Sequence, residues 1–317
     1  MIGSDIQYAI SLLQQEQVVA IPTETVYGLA GNAFSPRAVS TIFAVKNRPT
    51  FDPLIVHTSR FERAEAFTTK IPDIAYRLAD RFMPGPLTLL LPKAEIIPDI
   101  VTAGLPRVAI RVPSHPVAQE LLGGLDFPLA APSANPFGYI SPTTAQYMED
   151  QLGDKVPYIL DGGSCQVGVE STIVGFEDGQ PVVYRKGGLA VEDIEALIGK
   201  VVVRAFSSSD PQAPGMLKSH YAPRVPLVLG DLSTLQQQFK GQAIGVIAFR
   251  QPLPGVPLEQ QLVLSPSSNL AEAARNLFAG MRRLDGLPLD IIIAELLPEQ
   301  GLGRAINDRL RRAAGGA

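Results

Sequence analysis

Short apolar runs that end at proline or glycine alternate with amphipathic segments along most of this chain. Short runs rich in Val, Ile and Leu predict buried strands, and apolar residues three or four positions apart predict helices between them. Proline accounts for 28 of 317 residues, above the roughly 5% typical of proteins, and it clusters at the predicted strand ends. The alternation predicts a mixed α/β fold. The strands expected before residue 205 are residues 18–21, 87–91, 108–112, 129–131, 158–160, 172–174 and 182–184, and a further strand is expected within residues 52–57.

The first two helices have recognisable start signals. Ser4 and Asp5 can cap the first helix. Ser35 as N-cap with Pro36 in the first helical position predicts the second, which must end before Pro49. Lys46 and Arg48 therefore fall at its C-terminal end. Residues 23–29 are polar, then apolar, and are broken by a glycine, which predicts a loop entering a site.

The pattern changes between residues 205 and 226, where a polar, helix-poor stretch rich in serine and proline interrupts it. Beyond this stretch, strands alternate again with helices, which predicts a small open sheet. The chain length also fits two domains. We expect an α/β domain over residues 1–205, a linker over 206–226 and a small open-sheet domain over 227–317.

Composition excludes several classes of function. A net charge of −4 argues against a protein that binds nucleic acid by charge alone. A single cysteine, Cys165, rules out an internal disulfide framework, and three histidines give no zinc-ligand spacing. No signal peptide precedes the first helix and no apolar run approaches roughly 18 residues, so we expect a cytoplasmic protein. The common phosphate-loop, dinucleotide and hydrolase motifs are absent from the sequence.

Two short stretches suggest a site for phosphate. Lys46-Asn47-Arg48 offers two cations, and Ser133-Ala134-Asn135 offers a hydroxyl and an amide after an apolar strand. Cations and fixed polar donors are what phosphoryl or nucleotidyl transfer requires of a protein. Taken alone, the two cations are also explained by the helix dipole, which they would complement by about 0.3 to 1 kcal/mol.

Other candidates have structural alternatives of their own. His57 on its own is more often a satisfied core histidine. Arg107 and Arg111 share one strand face; for Arg111 we favour a bidentate grip on a carboxylate or phosphate, and for Arg107 a surface salt bridge. Cys165 has no evident base partner and is interpreted as a packing residue.

Taken in order, several motifs resemble the YrdC-like family of L-threonylcarbamoyladenylate synthases. The resemblance covers about the first two hundred residues, and two further motifs resemble the two-domain form of that family, with a linker and a Rossmann-like domain. The motifs are Pro22-Thr23-Glu24-Thr25-Val26-Tyr27-Gly28-Leu29, Lys46-x-Arg48-Pro49, Pro53-Leu54-Ile55-Val56-His57, Pro84-Gly85-Pro86-Leu87-Thr88, Arg111-Val112-Pro113, Pro132-Ser133-Ala134-Asn135, His220-Tyr221-Ala222-Pro223 and, near the end, Gly301-Leu302-Gly303-Arg304 through Leu310.

The resemblance implies a twisted mixed sheet around a large positive concave pocket, and a reaction. L-Threonine, bicarbonate and ATP would give L-threonylcarbamoyl-AMP, diphosphate and water, for N6-threonylcarbamoyladenosine formation in tRNA. It further implies that Mg²⁺ is held mainly by the ATP phosphates, without a protein metal site, and that the product passes to a tRNA threonylcarbamoyl transferase complex. Direct contact with tRNA stays open.

The resemblance also assigns residues. Lys46 and Arg48 would be catalytic. Threonine would contact Thr25, His57, Arg111, Ser133 and Ser171, and ATP would contact Lys46, Arg48, Asp52, Asn135, Thr143, Arg185 and Tyr221. His220 and Tyr221 lie in the linker, which we expect to close over the labile carbamate. The chain departs from the family at Asp52, where asparagine is usual, and at Ala213, where serine is usual.

Two other functions fit parts of the sequence. A non-enzymatic module could bind tRNA or double-stranded RNA in a positive groove, with salt-sensitive affinity and no need for ATP. A carbamoyl-adenylate transferase with another acceptor would use a related domain, usually in longer chains that carry zinc-finger cysteines.

Overall fold

The computed structural model describes residues 1–204, 213–214 and 220–315, and within them the strands form one sheet of eleven and one of four. The predicted linker, residues 206–226, lies in large part outside the described residues. No helix among the described residues is long and apolar enough to cross a membrane.

The large sheet occupies the first two hundred residues. Its strands are β1 (Ile2–Gly3), β2 (Val19–Ile21), β3 (Gly28–Asn32), β4 (Ile55–His57), β5 (Leu87–Pro92), β6 (Arg107–Arg111), β7 (Leu129–Ala130), β8 (Tyr158–Leu160), β9 (Thr172–Glu177), β10 (Gln180–Arg185) and β11 (Val202–Val203). Between them lie the helices α1 (Ile6–Gln14), α2 (Pro36–Lys46), α3 (Asp73–Phe82), α4 (Asp99–Thr102), α5 (Pro116–Gly123), α6 (Ala145–Leu152) and α7 (Val191–Ile198), with 3-10 turns at Phe61–Ala66 and Gly153–Lys155.

The strand order is β1-β8-β2-β3-β7-β4-β6-β5-β9-β10-β11, with parallel and antiparallel neighbours mixed. This confirms the predicted mixed α/β sheet. Alternate residues of β5 contribute to different apolar clusters: Leu87, Leu89 and Leu91 belong to the main core with α2 and α3, and Leu90 packs with Ile55 and Ala109.

The start signals of both helices are confirmed. The Asp5 carboxylate accepts a hydrogen bond from the Tyr8 amide at 2.9 Å, and the Ser35 hydroxyl accepts one from the Ala38 amide at 3.2 Å. Helix α2 ends at Lys46 and is capped by Asn47, whose φ of 52° is left-handed, so Lys46 occupies its last turn and Arg48 lies just beyond.

One local prediction was wrong. Residues 23–29 were expected to form a loop, but the loop ends at Tyr27, and Gly28 and Leu29 belong to β3, which pairs antiparallel with β2. Four of the five residues of β3 are buried, so the strand lacks the alternation of apolar and polar residues that marks a half-exposed strand.

The small sheet is built from β12 (Leu227–Leu229), β13 (Ile244–Ala248), β14 (Gln261–Val263) and β15 (Ile291–Ala294), with helices α8 (Leu232–Gln238), α9 (Leu270–Asp285) and α10 (Gly303–Ala314) and a 3-10 turn at Leu258–Gln260. Its order is β12-β15-β13-β14, and its paired strands are parallel. This confirms the predicted small open α/β sheet.

The two sheets share an apolar cluster. Val26, Ile140 and Val169 of the first part pack with Leu277 and Ile306 of α9 and α10. The chain approaches closely at Gly168, where φ is 79° and a Cβ would lie 2.4 Å from the Arg275 Cα, so only glycine fits there.

Candidate active site

A small cavity lies across β4, on the face to which Ile55 and His57 both point. His57 and Arg111 are paired residues at the ends of the parallel strands β4 and β6. The cavity has a volume of about 50 Å³. It is lined by Thr23, Val26, Gly28, Arg48, Pro53, Leu54, Ile55, His57, Arg111, Ala131, Pro132, Ser133, Glu170, Arg185, Pro214, His220 and Tyr221.

Arg111 is held against a carboxylate. Its Nη2 lies 2.8 Å from Glu24 Oε1, and both side chains are buried. The contact is an ion pair without hydrogen-bond alignment. The second Glu24 oxygen accepts a bond from the Ser114 amide at 3.1 Å. Arg111 therefore forms a charged part of the cavity wall, held in place by Glu24.

His57 is buried beside Arg111. Burial, reinforced by the Arg111 charge, lowers the pKa of His57 to about 3. Its Nδ1 lies 3.2 Å from the Ile55 carbonyl. At neutral pH the imidazole is uncharged, so it serves the cavity as a neutral donor or acceptor.

Lys46 binds the second predicted stretch directly. Its buried Nζ donates to the carbonyls of Ser133, at 2.5 Å, and of Asn135. Burial, followed by repulsion from Arg48, lowers the pKa of Lys46 well below that of an ordinary lysine. The Lys46 side chain thus fixes the Ser133–Asn135 turn. A lysine that only complemented the helix dipole would not need these contacts.

Arg48 is buried with Asp52. The two side chains form an ion pair at 2.8 Å, and Arg48 also donates from Nε to the Asp52 carbonyl and from Nη2 to the Pro53 carbonyl, at 3.2 and 2.9 Å. Burial lowers the pKa of Arg48. Asp52, the departure from the family pattern, therefore contacts an arginine of the cavity wall.

Arg185 joins β10 to the start of β9. Its Nε donates to the Ser171 carbonyl at 3.0 Å and its Nη2 to the Ser171 hydroxyl at 3.1 Å. Burial lowers the pKa of Arg185 to about 10. The turn that follows allows this close approach because residue 187 is glycine: a Cβ there would lie 2.3 Å from the Glu170 carbonyl oxygen.

Tyr221 and His220 close the cavity. Their rings lie 4.1 Å apart, and Tyr221 stacks on Phe278 of α9 with centroids 5.4 Å apart. The guanidinium groups of Arg309 and Arg312, on α10, lie 5.2 and 4.7 Å from the centre of the Tyr221 ring. Helices α9 and α10, which belong with the small sheet, therefore support this wall.

The structure brings six of the predicted site residues to the cavity wall and leaves six behind it. The six that line it are Arg48, His57, Arg111, Ser133, Arg185 and Tyr221. The six that do not are Thr25, Lys46, Asp52, Asn135, Thr143 and Ser171.

Most of the six residues behind the wall contact a lining residue. Lys46 bonds Ser133, Asp52 pairs with Arg48, and Ser171 accepts from Arg185. The Thr25 hydroxyl lies 2.9 Å from that of Thr23, the threonine that lines the cavity. Asn135 is reached through Lys46, and its amide donates to the carbonyls of Pro136 and Tyr139, both at 2.8 Å. The Thr143 carbonyl accepts from the Cys165 amide at 2.9 Å.

Arg107 lies away from this cavity. Its Nη1 donates to the Tyr184 hydroxyl at 2.7 Å and its guanidinium lies 5.0 Å from the centre of that ring. Arg111 lines the cavity and Arg107 does not, and the aromatic partner of Arg107 was not foreseen from the sequence.

Sequence reasoning missed the acidic members of the site. Glu24 and Glu170 each face an arginine, and Glu170 also accepts a bond from the Ser141 hydroxyl at 2.6 Å. Both glutamates stood in recognised motifs, so a buried carboxylate beside predicted cations was a signal that could have found them. Among the described residues, no group of three or more His, Cys, Asp or Glu side chains could hold a metal ion.

Chemically, the cavity presents guanidinium groups at several points, a neutral imidazole and a serine turn fixed by an ammonium. Such a wall can neutralise an anion that itself carries several separated charged groups, and it can orient the oxygens of that anion.

Comparisons with known proteins find relatives over nearly the whole chain. A family model described as "Telomere recombination" matches residues 11–187, and one described as "Threonylcarbamoyl-AMP synthase, C-terminal domain" matches residues 189–315. The chain is 40% identical to the threonylcarbamoyl-AMP synthases of Pyrococcus abyssi and Bacillus subtilis, over 98% of its own length and 94% and 93% of theirs. The crystal structure of P. abyssi Sua5 complexed with L-threonine superposes with a TM-score of 0.92 at 38% identity, covering 98% of this chain and 94% of that one.

Proposed function

The chain belongs to the threonylcarbamoyl-AMP synthase family of nucleotidyltransferases, and we propose that it makes L-threonylcarbamoyl-AMP from L-threonine, bicarbonate and ATP in the cavity across β4. The observation that carries the proposal is the convergence of Arg48, Arg111 and Arg185, from three distant segments, on one cavity.

Threonine would bind at the β4–β6 end. The planar fork of Arg111 suits the threonine carboxylate, and the neutral His57 beside it can bond the amino acid without adding charge. Ser133, and Ser171 and Thr25 behind the wall, supply hydroxyls for the rest of the substrate. Glu24, which pairs with Arg111, would hold that guanidinium in place for the threonine carboxylate.

ATP would extend towards the second sheet. Arg48 and Arg185 line the cavity and would bind phosphate oxygens, with Lys46, Asn135 and Thr143 supporting that wall and Tyr221 closing over the nucleotide. Asp52 would act through Arg48, with which it pairs, rather than by touching the nucleotide.

Magnesium would enter with the nucleotide. Its preferred ligands are oxygens, but the carboxylates nearest the cavity, Glu24, Asp52 and Glu170, each lie within 2.9 Å of an arginine. The residues present fit an ion held mainly by the phosphates. When bound, it would neutralise charge on the triphosphate.

The chemistry follows from these positions. The threonine amine adds to the carbon of bicarbonate or carbon dioxide to give a carbamate, with loss of water or a proton. A carbamate oxygen then attacks the α-phosphorus, the bond to the bridging oxygen breaks, and diphosphate leaves with the electron pair. Attack of an anion on a polyanion is repulsive, and Lys46, Arg48 and Arg185 would relieve that repulsion.

The closed arrangement requires movement. A cavity of about 50 Å³ holds little more than a water molecule or two, whereas sites for larger ligands span roughly 300–1,000 Å³. His220 and Tyr221 must therefore withdraw to admit substrates, and their return would shield the labile carbamate from water.

The division into a catalytic domain (1–205), a linker (206–226) and a small Rossmann-like domain (227–317) belongs to the same proposal. The product would pass to a tRNA threonylcarbamoyl transferase complex in the cytoplasm, where ATP and tRNA are found, and contact with tRNA would occur during that transfer.

The test is a diphosphate-release assay with purified protein, magnesium-ATP, threonine and bicarbonate, each omitted in turn. We expect release that needs all of them. Release without threonine would mean that the amino acid is not the acceptor, and salt-sensitive RNA binding without diphosphate release would favour the RNA-binding alternative.

A further inference from the structure

Arg309, on the last helix of the chain, is fully buried against the large sheet. Its Nε donates to Glu170 Oε2 at 2.9 Å, and its Nη1 donates to the Lys186 carbonyl at 2.8 Å. Asp308, on the same helix, accepts a further bond from Nη1 at 2.8 Å. One guanidinium from the small sheet thus binds two separate segments of the large one.

Those two segments carry proposed substrate-binding residues. Glu170 immediately precedes Ser171 at the start of β9, and Lys186 immediately follows Arg185 at the end of β10. Arg185 itself donates to the carbonyl and hydroxyl of Ser171. Arg309 bonds Glu170, the residue before Ser171, and Lys186, the residue after Arg185. It therefore fixes the distance between Ser171 and Arg185.

Glu170 extends the effect into the cavity, which it lines. Burial raises the pKa of Glu170, but Arg309 and Arg185 more than compensate, so the pKa lies below that of an ordinary glutamate. Without Arg309, the Glu170 carboxylate would remain in the wall of a site for anions after losing the strongest charge that stabilises it.

Tyr221 is the third element that Arg309 supports. The guanidinium lies 5.2 Å from the centre of the ring, within range for a cation–π contact. The side chain that bonds Glu170 therefore also contributes, with Arg312 and Phe278, to holding the Tyr221 ring.

A purely structural ion pair between the two sheets is the competing explanation. The sheets already share an apolar cluster, and buried ion pairs are often replaced by apolar residues without loss of stability. Arg282 offers a comparison within the chain: it also joins the two sheets, by donating to the carbonyls of Ile140 and Ser141, but it bonds neither neighbour of the Ser171–Arg185 pair.

We propose that Arg309 is a positioning residue for the reaction, through which the small sheet sets the geometry of Ser171, Arg185 and Tyr221 in the active site. The proposal rests on the substrate-binding roles proposed above for these residues. A misplacement of about 1 Å in a site of this kind costs up to roughly 10²-fold in rate.

The experiment compares Arg309→Met, Arg309→Lys and the control Arg282→Met with the wild-type full-length protein. Thermal unfolding ranks their stability, calorimetry gives Kd for threonine and for ATP, and diphosphate release gives kcat and KM. All measurements are made at a temperature where each variant is folded.

We expect Arg309→Met to raise Kd and KM for both substrates by about tenfold or more. Arg282→Met should change them by less than about twofold, even if its unfolding temperature falls by as much as that of Arg309→Met. Arg309→Lys should recover only part of the affinity, because one ammonium cannot bond Glu170 and the Lys186 carbonyl in the same fork geometry.

Substrate affinities of Arg309→Met within about twofold of wild type, or an equal loss in Arg282→Met at matched stability, would overturn the proposal. If Arg309→Met does not fold, Arg309→Lys decides alone, since unchanged affinities there would also overturn it. A wild-type protein that releases no diphosphate with threonine refutes the proposed function instead, whatever the variants do.

Discussion

Replacing Lys46 with methionine separates the two explanations of this residue. A lysine that only complements the helix dipole contributes about 0.3 to 1 kcal/mol. In the structure its Nζ donates to the carbonyls of Ser133 and Asn135, and the side chain is 1% exposed. Methionine keeps the length of the side chain and removes both hydrogen bonds.

The magnitude follows from the two carbonyls. Without Lys46, the Asn135 carbonyl is left without a partner, which costs about 1 to 3 kcal/mol. The Ser133 carbonyl keeps the bond from the Asn135 amide at 3.0 Å, so it loses only one of two bonds, worth about 0.5 to 1.5 kcal/mol. Part of this is recovered because methionine removes the cost of burying an amine, the cause of the lowered Lys46 pKa. We therefore expect a net loss of about 1 to 3 kcal/mol in the free energy of unfolding, or about 2 to 6 °C in unfolding temperature at roughly 2 °C per kcal/mol.

The assay combines thermal unfolding with nucleotide binding. Ligand at a hundredfold excess over Kd stabilises the native state by about 2.7 kcal/mol, and Lys46→Met should lose most of that gain for magnesium-ATP together with more than tenfold in diphosphate release. Arg37→Met is the matched control, since Arg37 is an exposed cation on the same helix, and it should change neither quantity. If Lys46→Met unfolds and binds ATP like that control, the two carbonyl bonds do not stabilise the site and the reasoning is wrong.

Three further results are expected. Burial and Arg111 lower the pKa of His57 to about 3, so protonation of His57 favours the unfolded chain. Its contribution to stability is complete above pH 6.5 and is lost as the pH falls towards 3, by at most about 1.4 kcal/mol per pH unit. The urea midpoints of wild type and His57→Gln should converge over that interval, and parallel curves would contradict this. Asp52→Asn should tighten ATP binding by a few-fold in calorimetry, since it removes a negative charge beside Arg48, and weaker binding would mean that the carboxylate itself holds the nucleotide or its metal. Burial raises the pKa of Cys165 to about 12, so iodoacetamide at pH 8 should label it more than about a hundredfold more slowly in the native protein than in urea, and rapid native labelling would show that the thiol is not buried as the fold requires.

Where the signal was local, the sequence was enough to predict the structure. Helix α2 is bounded by Ser35, Pro36 and the left-handed Asn47, all of which act within one turn of the residues they affect. The small sheet was predicted for the same reason, because its buried strands and amphipathic helices alternate clearly. Strand β3 was missed because both of its faces are covered, which removes the periodicity that would have marked it.

In the candidate site, too, the sequence predicted what depends on local motifs and not what depends on distant contacts. Motifs singled out the cations, but their partners come from distant parts of the chain: Lys46 bonds residues 133 and 135, Arg111 pairs with Glu24, and Glu170 pairs with Arg309. Such pairings depend on the order of the strands and on the docking of the second sheet, and neither is encoded in local sequence.

These pairings bear on which ligands the site can select. Each of Arg48, Arg111 and Arg185 is engaged with protein oxygens in the closed arrangement, so an incoming anion must replace contacts that are already made. A ligand with a single charge would form contacts with one arginine only by breaking the protein contacts of that arginine. The net gain in free energy would be small, and binding would be weak. A carboxylate on one substrate and a triphosphate on the other engage all three arginines together, so their gains combine across one cavity. The internal ion pairs therefore favour occupation by both substrates over occupation by small anions of the same charge type.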